Sequence, residues 1–145
     1  MENMTSDPLA LFNQLYKEMD EIYHQYAKRQ GISDTALWLL YSLYEDGAGY
    51  TQRELCSAWH YPPQTINSAL KNLVNQGYIQ LKPVEGNQKN KRIVLTEAGN
   101  EMMQEIISPL IRAEKRTFQR LEKSERDALL SLTHKYVSLL KSEVK

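Results

Sequence analysis

The chain has 145 residues, of which 41% are hydrophobic and 25% charged, and its formal net charge is zero. These totals are typical of a soluble globular protein of one domain, or of one domain with an extension. No run approaches the ~18 apolar residues of a membrane-spanning helix, and the acidic N-terminus has no apolar signal core, so we expect a cytoplasmic protein. The single cysteine, Cys56, excludes an intramolecular disulfide.

Local patterns in the first half of the chain predict four helices. Asp7 and Pro8 begin the first, over about residues 8–29, and Ser33 begins a second over about residues 34–45, which is apolar nearly all round. Thr51 and Glu54 have capping-box spacing and begin a short helix that ends near residue 59. The fourth runs from residue 63 to the cap at residue 77. Its predicted inward side chains are Ile66, Ala69, Leu70, Leu73 and Val74.

The second half predicts a hairpin followed by two helices. Residues 78–82 alternate in polarity and predict a strand bounded by Pro83, with a polar loop over residues 84–90 and a return strand over residues 91–95. A long helix over about residues 97–121 has Pro109 as the place for a bend, and Ser124 opens a last helix that ends near residue 141. The predicted fold class is mainly α with one small β-hairpin.

The charges are distributed unevenly along the chain. Residues 1–50 carry 3 basic and 8 acidic side chains, residues 51–92 carry 6 and 2, and residues 93–145 carry 9 and 8. The middle segment, at a net +4, therefore predicts a local positive face, and phosphate binding requires only such a local face.

The fourth helix carries a polar outer face suited to the DNA major groove. Amides such as Gln64 and Asn67 can contact adenine in bidentate fashion, and Ser, Thr and Lys can contact bases or phosphates. An ordinary solvated helix face is an equally open interpretation of this helix alone. The predicted outer face consists of Gln64, Ser68, Lys71, Asn72 and Asn75, with Thr65 and Asn67 on its flanks.

The predicted hairpin tip adds three cations within four residues and no acidic residue between them. A two-stranded ribbon of this kind can enter a minor groove or contact phosphates, although a charged edge strand that resists aggregation is the alternative. Backbone amides at the start of the third helix, beside Arg53, can hold a phosphate. We therefore expect base contacts from Gln64, Asn67, Ser68 and Lys71. Contacts to the DNA backbone or the minor groove are expected from Thr51, Arg53, Lys89, Lys91 and Arg92. The same interface is expected to include Thr65, Asn72 and Asn90.

With these residues placed, the chain resembles the MarR family of winged helix-turn-helix transcriptional regulators along nearly its whole length. The resemblance rests on residues 51–55 (TQREL), 75–79 (NQGYI) and 93–99 (IVLTEAG). It implies a DNA-binding region over residues 33–96, dimerisation helices over residues 7–30 and 97–142, and a homodimer on pseudo-palindromic promoter DNA, expected to act as a repressor. The family's hairpin usually carries an Asp and an Arg two residues apart. Here Asn87 and Lys89 stand at those positions, so minor-groove insertion is expected to differ.

The first and last helices support the dimer independently, because their apolar stripes exceed what one small domain can cover. The resemblance also implies a small effector. We expect a small aromatic ligand in a cleft between the dimerisation and DNA-reading regions, lined by Tyr16, Tyr23, His24, Trp38 and Tyr41, although packing of a dimer interface is the simpler interpretation.

Catalytic and metal chemistry have no candidate group in the sequence. Cys56 and His60 are four residues apart, but Cys56 occupies a position that calls for a small apolar residue. The three histidines are widely separated, so we expect no metal, no cofactor and no enzymatic activity. The alternative function is a protein-interaction module that keeps the fold without binding DNA, which the neutral total charge favours.

Overall fold

The structure, a computed structural model, describes residues 7–45, 50–59 and 62–144, with the side chains in these ranges except those of residues 45, 59 and 87–89. The chain divides into two compact units, Met1–Ile107 and Ser108–Lys145. The described elements are α1 (Pro8–Arg29), α2 (Asp34–Glu45), α3 (Gln52–Trp59), α4 (Pro63–Asn75), β1 (Ile79–Val84), β2 (Asn87–Leu95), α5 (Glu97–Met102), a π-helical turn (Met103–Ile107), α6 (Ser108–Gln119) and α7 (Lys123–Glu143). The predicted mainly α fold with one antiparallel hairpin is confirmed.

Side chains at the predicted caps begin the first helices. The Asp7 carboxylate accepts hydrogen bonds from the backbone N–H groups of Leu9 and Ala10 at 3.1 and 3.3 Å. The Ser33 hydroxyl accepts one from the N–H of Ala36 at 3.1 Å. Because these side chains satisfy N–H groups that have no partner inside the helix, α1 and α2 begin where the sequence predicted.

The core of the first unit is built around α2, which is buried over most of its circumference as predicted. Helices α3 and α4 and both strands each contribute apolar side chains to it. The fully buried large apolar side chains are Leu37, Leu39, Leu40, Leu55, Ile66, Leu70, Ile79, Ile93 and Ile107.

Helix α4 buries most of its predicted inward stripe. Ile66, Leu70 and Leu73 are buried, but the prediction for Val74 was wrong, since that side chain is 37% exposed. At about 100° per residue, Val74 lies roughly 80° from Ile66, at the edge of the stripe. Gly77 has a φ of +84° and closes the helix as predicted, a conformation that favours glycine.

The hairpin is longer than predicted. Strand β1 passes through Pro83 to Val84, and β2 begins at Asn87, so the predicted boundary at Pro83 and the predicted loop over residues 84–90 were wrong. In a two-stranded sheet both strands are edges, so a proline without an N–H is tolerated there. The pairing shifts register between Pro83 and Val84, and Gly86, at a φ of +80°, allows the tight turn.

A π-helical turn interrupts the long helix predicted after the hairpin. It covers Met103–Ile107, immediately before the predicted bend at Pro109. Proline lacks the N–H that would bond to the carbonyl four residues earlier, that of Glu105, and this explains why the irregularity precedes the proline.

In the second unit, α7 begins one residue earlier than predicted. The cap is Glu122 rather than Ser124, because the N–H of Glu122 donates to the carboxylate of Glu125 at 2.8 Å.

Helices α1 and α7 each keep a row of apolar side chains exposed. On α1 the exposed fractions run from 47% at Phe12 to 65% at Ile22, and on α7 Leu132 is 65% exposed. Rows of this size are unusual on the surface of a single chain. The exposed large apolar side chains are Leu9, Phe12, Leu15, Tyr16, Met19 and Ile22 on α1 and Leu129, Leu130, Leu132, Tyr136, Val137, Leu139 and Leu140 on α7.

None of the described helices is both long enough and apolar enough to cross a membrane.

Candidate nucleic-acid interface

The outer face of α4 is exposed along its whole length and carries no carboxylate. Pro62 and Pro63 fix the entry of the chain into this helix, and the buried stripe headed by Ile66 fixes its rotation. Amide, hydroxyl and ammonium groups are thus presented together, and they are the side chains that read base edges and contact phosphates. The exposed residues of this face are Gln64, Thr65, Asn67, Ser68, Lys71, Asn72 and Asn75.

Thr51 is committed to capping α3. Its side chain is buried, and its hydroxyl accepts the N–H of Glu54 at 3.1 Å. The N–H of Arg53 donates to the Asn90 side chain at 3.4 Å. Two amides of this helix start therefore already have acceptors within the chain, and the exposed Arg53 side chain is the stronger candidate there for a phosphate contact.

The hairpin is joined by backbone hydrogen bonding to the segment just before α3. The N–H of Ile93 donates to the carbonyl of Tyr50 at 2.8 Å, and Thr51 pairs with Arg92 in an antiparallel bridge. Nothing in the sequence predicted this isolated bridge. It fixes the start of α3 against β2, so that Arg53, Lys91 and Arg92 belong to one rigid arrangement.

The structure describes the side chains of two of the three cationic residues at the hairpin tip. Lys91 and Arg92 are half-buried, as is Asn90. The side chains of Asn87 and Lys89 lie outside the described residues, so the expected departure from the family's usual hairpin stays a prediction.

Sequence reasoning missed a contact between the two helices of the helix-turn-helix. The side-chain N–H of Gln52 donates to the side-chain oxygen of Asn67 at 3.4 Å. The two residues are 15 positions apart on different helices, so no local pattern could have found it. Around this contact lies a depression of about 330 Å³, lined by Gln52, Arg53, Cys56, Pro63, Asn67 and Asn90.

Cys56 lies at the edge of that depression and is half-buried, whereas the sequence interpretation placed it among the apolar core residues. It is separated from the core because Leu55, one position earlier, fills the buried side of α3. His60, its partner in the rejected thiol–imidazole pair, lies outside the described residues.

A second group of predicted residues lies between α1 and α2. The ring centroids of Tyr23 and Trp38 are 5.0 Å apart, and those of Trp38 and Tyr41 are 5.4 Å apart. The Nδ1 atom of His24 lies 3.0 Å from both carboxylate oxygens of Asp34. A depression of about 350 Å³ is lined by Lys17, Asp20, Glu21, Tyr23, His24, Asp34 and Trp38.

This arrangement includes only part of the predicted effector set. Tyr23, His24 and Trp38 line the depression. Tyr41 is not one of the lining residues, but its ring contacts that of Trp38. Tyr16 is 58% exposed among the apolar side chains of α1 and is not one of the lining residues.

Tyr26, a further aromatic residue of α1, has a structural contact. Its hydroxyl donates to the carbonyl of Ile106 at 2.5 Å, and burial raises the pKa of this phenol above its ordinary value, against the opposing charge of Arg29. Within the part of the chain that the structure describes, no three His, Cys, Asp or Glu side chains are grouped so as to hold a metal ion.

Comparison with known proteins gives a family match over the elements that carry this interface. Residues 30–89 match the model of the MarR family. This segment is similar to the MarR family. It spans α2, α3, α4, β1 and the start of β2, and therefore includes the polar face of α4. A comparison with curated protein sequences gives no match.

Solved MarR-family structures share the fold over almost the full chain. NMB1585, a MarR family regulator from Neisseria meningitidis, superposes with a TM-score of 0.78 at 17% identity, covering 95% of this chain and 96% of that one. The S. aureus MepR–DNA complex gives a TM-score of 0.75 at 22% identity, covering 92% and 98%. A Listeria monocytogenes protein described as a MarR family transcriptional regulator, complexed with 26mer DNA, gives 0.73 at 22% identity, covering 94% and 91%.

Proposed function

We propose that this protein is a sequence-specific, DNA-binding transcriptional regulator that acts in the cytoplasm, as a repressor, without a cofactor or catalytic activity. The observation that carries the proposal is the outer face of α4. Seven polar, exposed side chains without a carboxylate project from a helix whose rotation is fixed by its buried stripe. That combination is what a major-groove reading helix requires.

The electrostatics around α4 support the same proposal. Arg53 precedes the reading helix, Lys71 lies on its outer face, and Lys91 and Arg92 lie on the hairpin joined to α3. The segment over residues 51–92 is basic although the whole chain is neutral. Phosphates beside a groove occupied by α4 would therefore meet cations from α3, from α4 itself and from the hairpin.

The family match and the structures of related proteins with DNA add to this argument. Residues 30–89 are similar to the MarR family, and two proteins with the same fold, from S. aureus and L. monocytogenes, have been solved with DNA.

We further propose a homodimer formed through α1 and α7, the regions 7–30 and 97–142 of the sequence. The support is the row of exposed apolar side chains on each of these helices, which a second copy would bury. A twofold dimer presents two copies of α4, and such reading helices contact half-sites about 34–36 Å apart. The target would then be a pseudo-palindromic promoter site.

The proposal also includes a small aromatic effector that modulates DNA binding. Its support is the depression beside Tyr23 and Trp38, where two aromatic rings in tilted contact adjoin the His24–Asp34 pair. Rings of this kind bind flat ligands, and the surrounding polar groups would orient them.

Measuring the affinity of the protein for DNA at increasing salt concentration tests the proposal. We expect the protein to bind a duplex chosen from a random pool more tightly than a scrambled duplex, and to release both as salt rises, because cation–phosphate contacts release counterions. Binding that is absent even at low salt would favour the alternative, a protein-interaction module that keeps this fold.

A further inference from the structure

One side-chain contact joins the start of α3 to a base-reading position on α4. Gln52 is half-buried and donates from Nε2 to Oδ1 of Asn67 across 3.4 Å, while Asn67 itself is exposed on the outer face. Gln52 is not among the residues that we propose to touch DNA. Its contact is with the side chain of one that does.

The backbone on either side of Gln52 is bonded to the hairpin, which limits where the Gln52 side chain can reach. On one side, Tyr50 accepts the N–H of Ile93 at 2.8 Å and Thr51 pairs with Arg92. On the other side, the N–H of Arg53 donates to Asn90 at 3.4 Å. Gln52 therefore reaches Asn67 from a segment bonded to β2 both before and after it.

The contact matters because an asparagine amide has a hydrogen-bond acceptor, its carbonyl oxygen, on one side and a donor, its NH₂ group, on the other. Rotation by about 180° about its last bond exchanges the carbonyl oxygen with the NH₂ group, and the surrounding hydrogen bonds select one orientation. A donor at Gln52 selects the orientation in which Oδ1 lies next to Gln52. The two N–H groups of Nδ2 are then the donors that Asn67 offers to a base.

The donor groups of Asn67 match some bases and not others. Guanine, adenine and thymine each present an acceptor in the major groove, whereas cytosine presents only its amino donor. With Gln52 in place, Asn67 is therefore suited to a purine or thymine and unsuited to cytosine.

We propose that Gln52 is a positioning residue for base specificity, which sets through hydrogen bonding the face of the Asn67 amide presented to DNA. This inference rests on the proposed DNA-binding function. It distinguishes Gln52 from residues that contact phosphate, since its removal changes which base is preferred at one position and not the affinity for every sequence.

The test compares base preference in wild type, Gln52→Glu, Gln52→Ala and Asn67→Ala proteins. Duplexes are first selected from a random pool with the wild type, and affinities are then measured for duplexes that differ at single base pairs. The Asn67→Ala protein identifies the pair that Asn67 reads. Circular dichroism and the Tm of each protein establish that the variants are folded.

Gln52→Glu is the decisive variant, because a carboxylate accepts where the amide donated and turns the NH₂ group of Asn67 toward itself. We expect the ratio of affinities for guanine or thymine over cytosine at the Asn67 base pair to fall by on the order of tenfold, whereas adenine, which presents both a donor and an acceptor, should change less. The added negative charge weakens every duplex alike and cancels in that ratio. Gln52→Ala should reduce the base preference at the same pair. When Asn67→Ala is also present, neither Gln52 variant should alter the base preference at that pair.

Three results would overturn the inference. The first is a ratio of affinities for guanine or thymine over cytosine that stays within about twofold of wild type in Gln52→Glu. The second is an effect of Gln52→Glu that persists in the Asn67→Ala background, which would mean that Gln52 acts without Asn67. The third is salt-insensitive or absent binding by the wild type, which would overturn the proposed function as well. The first two results, obtained with a wild type that binds DNA, would leave the proposed function intact.

Discussion

At the scale of single residues, the candidate interface separates side chains that distinguish bases from side chains that contact phosphate. Asn67 and Arg53 are both exposed and lie on adjacent helices, yet their chemistry differs. An amide gains most of its binding energy from one matched base, whereas a guanidinium gains its energy from any phosphate. Substitutions at the two positions should therefore have different dependence on DNA sequence and on salt.

Asn67→Ala should weaken binding to the selected duplex by about 1–3 kcal/mol and leave binding to a random duplex unchanged, because a base contact is lost and no phosphate contact is. Fluorescence anisotropy titrations with both duplexes measure this. Equal losses on the two duplexes would remove Asn67 from the base-reading residues.

Arg53→Ala should weaken binding to every duplex and reduce the slope of log affinity against log salt by about one for each subunit. Arg29→Ala, an exposed arginine at the end of α1, is the matched control and should leave the slope unchanged. A slope that is the same in both variants would mean that Arg53 contacts no phosphate.

At the scale of the elements, the sequence predicted the helices better than the hairpin. Helix ends depend on local groups such as Asp7, Ser33 and Gly77, and local patterns identify them. The register between β1 and β2 depends on pairing across the turn, and Pro83 does not end β1 as predicted because an edge strand can accommodate a proline. The contacts that organise the interface, from Gln52 to Asn67 and from Ile93 to Tyr50, join distant segments and have no local signature.

The junction between the hairpin and α5 depends on Gly99. A Cβ atom at this position would lie 2.0 Å from the backbone carbonyl oxygen of Tyr78, and this oxygen also accepts the N–H of Thr96 at 3.0 Å. The Thr96 hydroxyl in turn accepts the N–H of Gly99 at 3.1 Å and donates to the carbonyl of Gly77 at 2.6 Å. The close approach of α5 to the segment between α4 and β1 therefore requires a residue without a side chain.

Gly99→Ala should lower the free energy of unfolding by about 1–3 kcal/mol or more, because the backbone must move to admit the methyl group. Urea unfolding followed by circular dichroism measures the change. Asn100→Ala, at the exposed neighbouring position of the same helix, should change stability by no more than about 0.5 kcal/mol. Unfolding curves that coincide for Gly99→Ala and wild type would contradict this account of the junction.

At the scale of the whole molecule, the apolar rows on α1 and α7 are the strongest argument for assembly. A lone chain would leave side chains such as Ile22 and Leu132, each 65% exposed, in contact with water. A twofold dimer would bury these surfaces and place two copies of α4 in register with DNA.

Leu132→Glu should shift the protein from dimer to monomer, because it introduces a charge into the surface that we propose is buried between subunits. Sedimentation equilibrium measures the mass. Ser131→Glu, an exposed polar position on the same helix, adds the same charge away from the apolar row and should leave the dimer intact. A wild type of monomeric mass, or a Leu132→Glu protein that stays dimeric, would contradict this assignment of the interface.

Methylation interference on a selected duplex tests the central claim most directly, because dimethyl sulfate modifies guanine N7, which lies in the major groove. If two copies of α4 read base edges, methylation should block binding within two tracts whose centres are separated by about 10–10.5 base pairs. Binding that no guanine N7 methylation weakens would mean that α4 does not enter the major groove, and the account would be wrong.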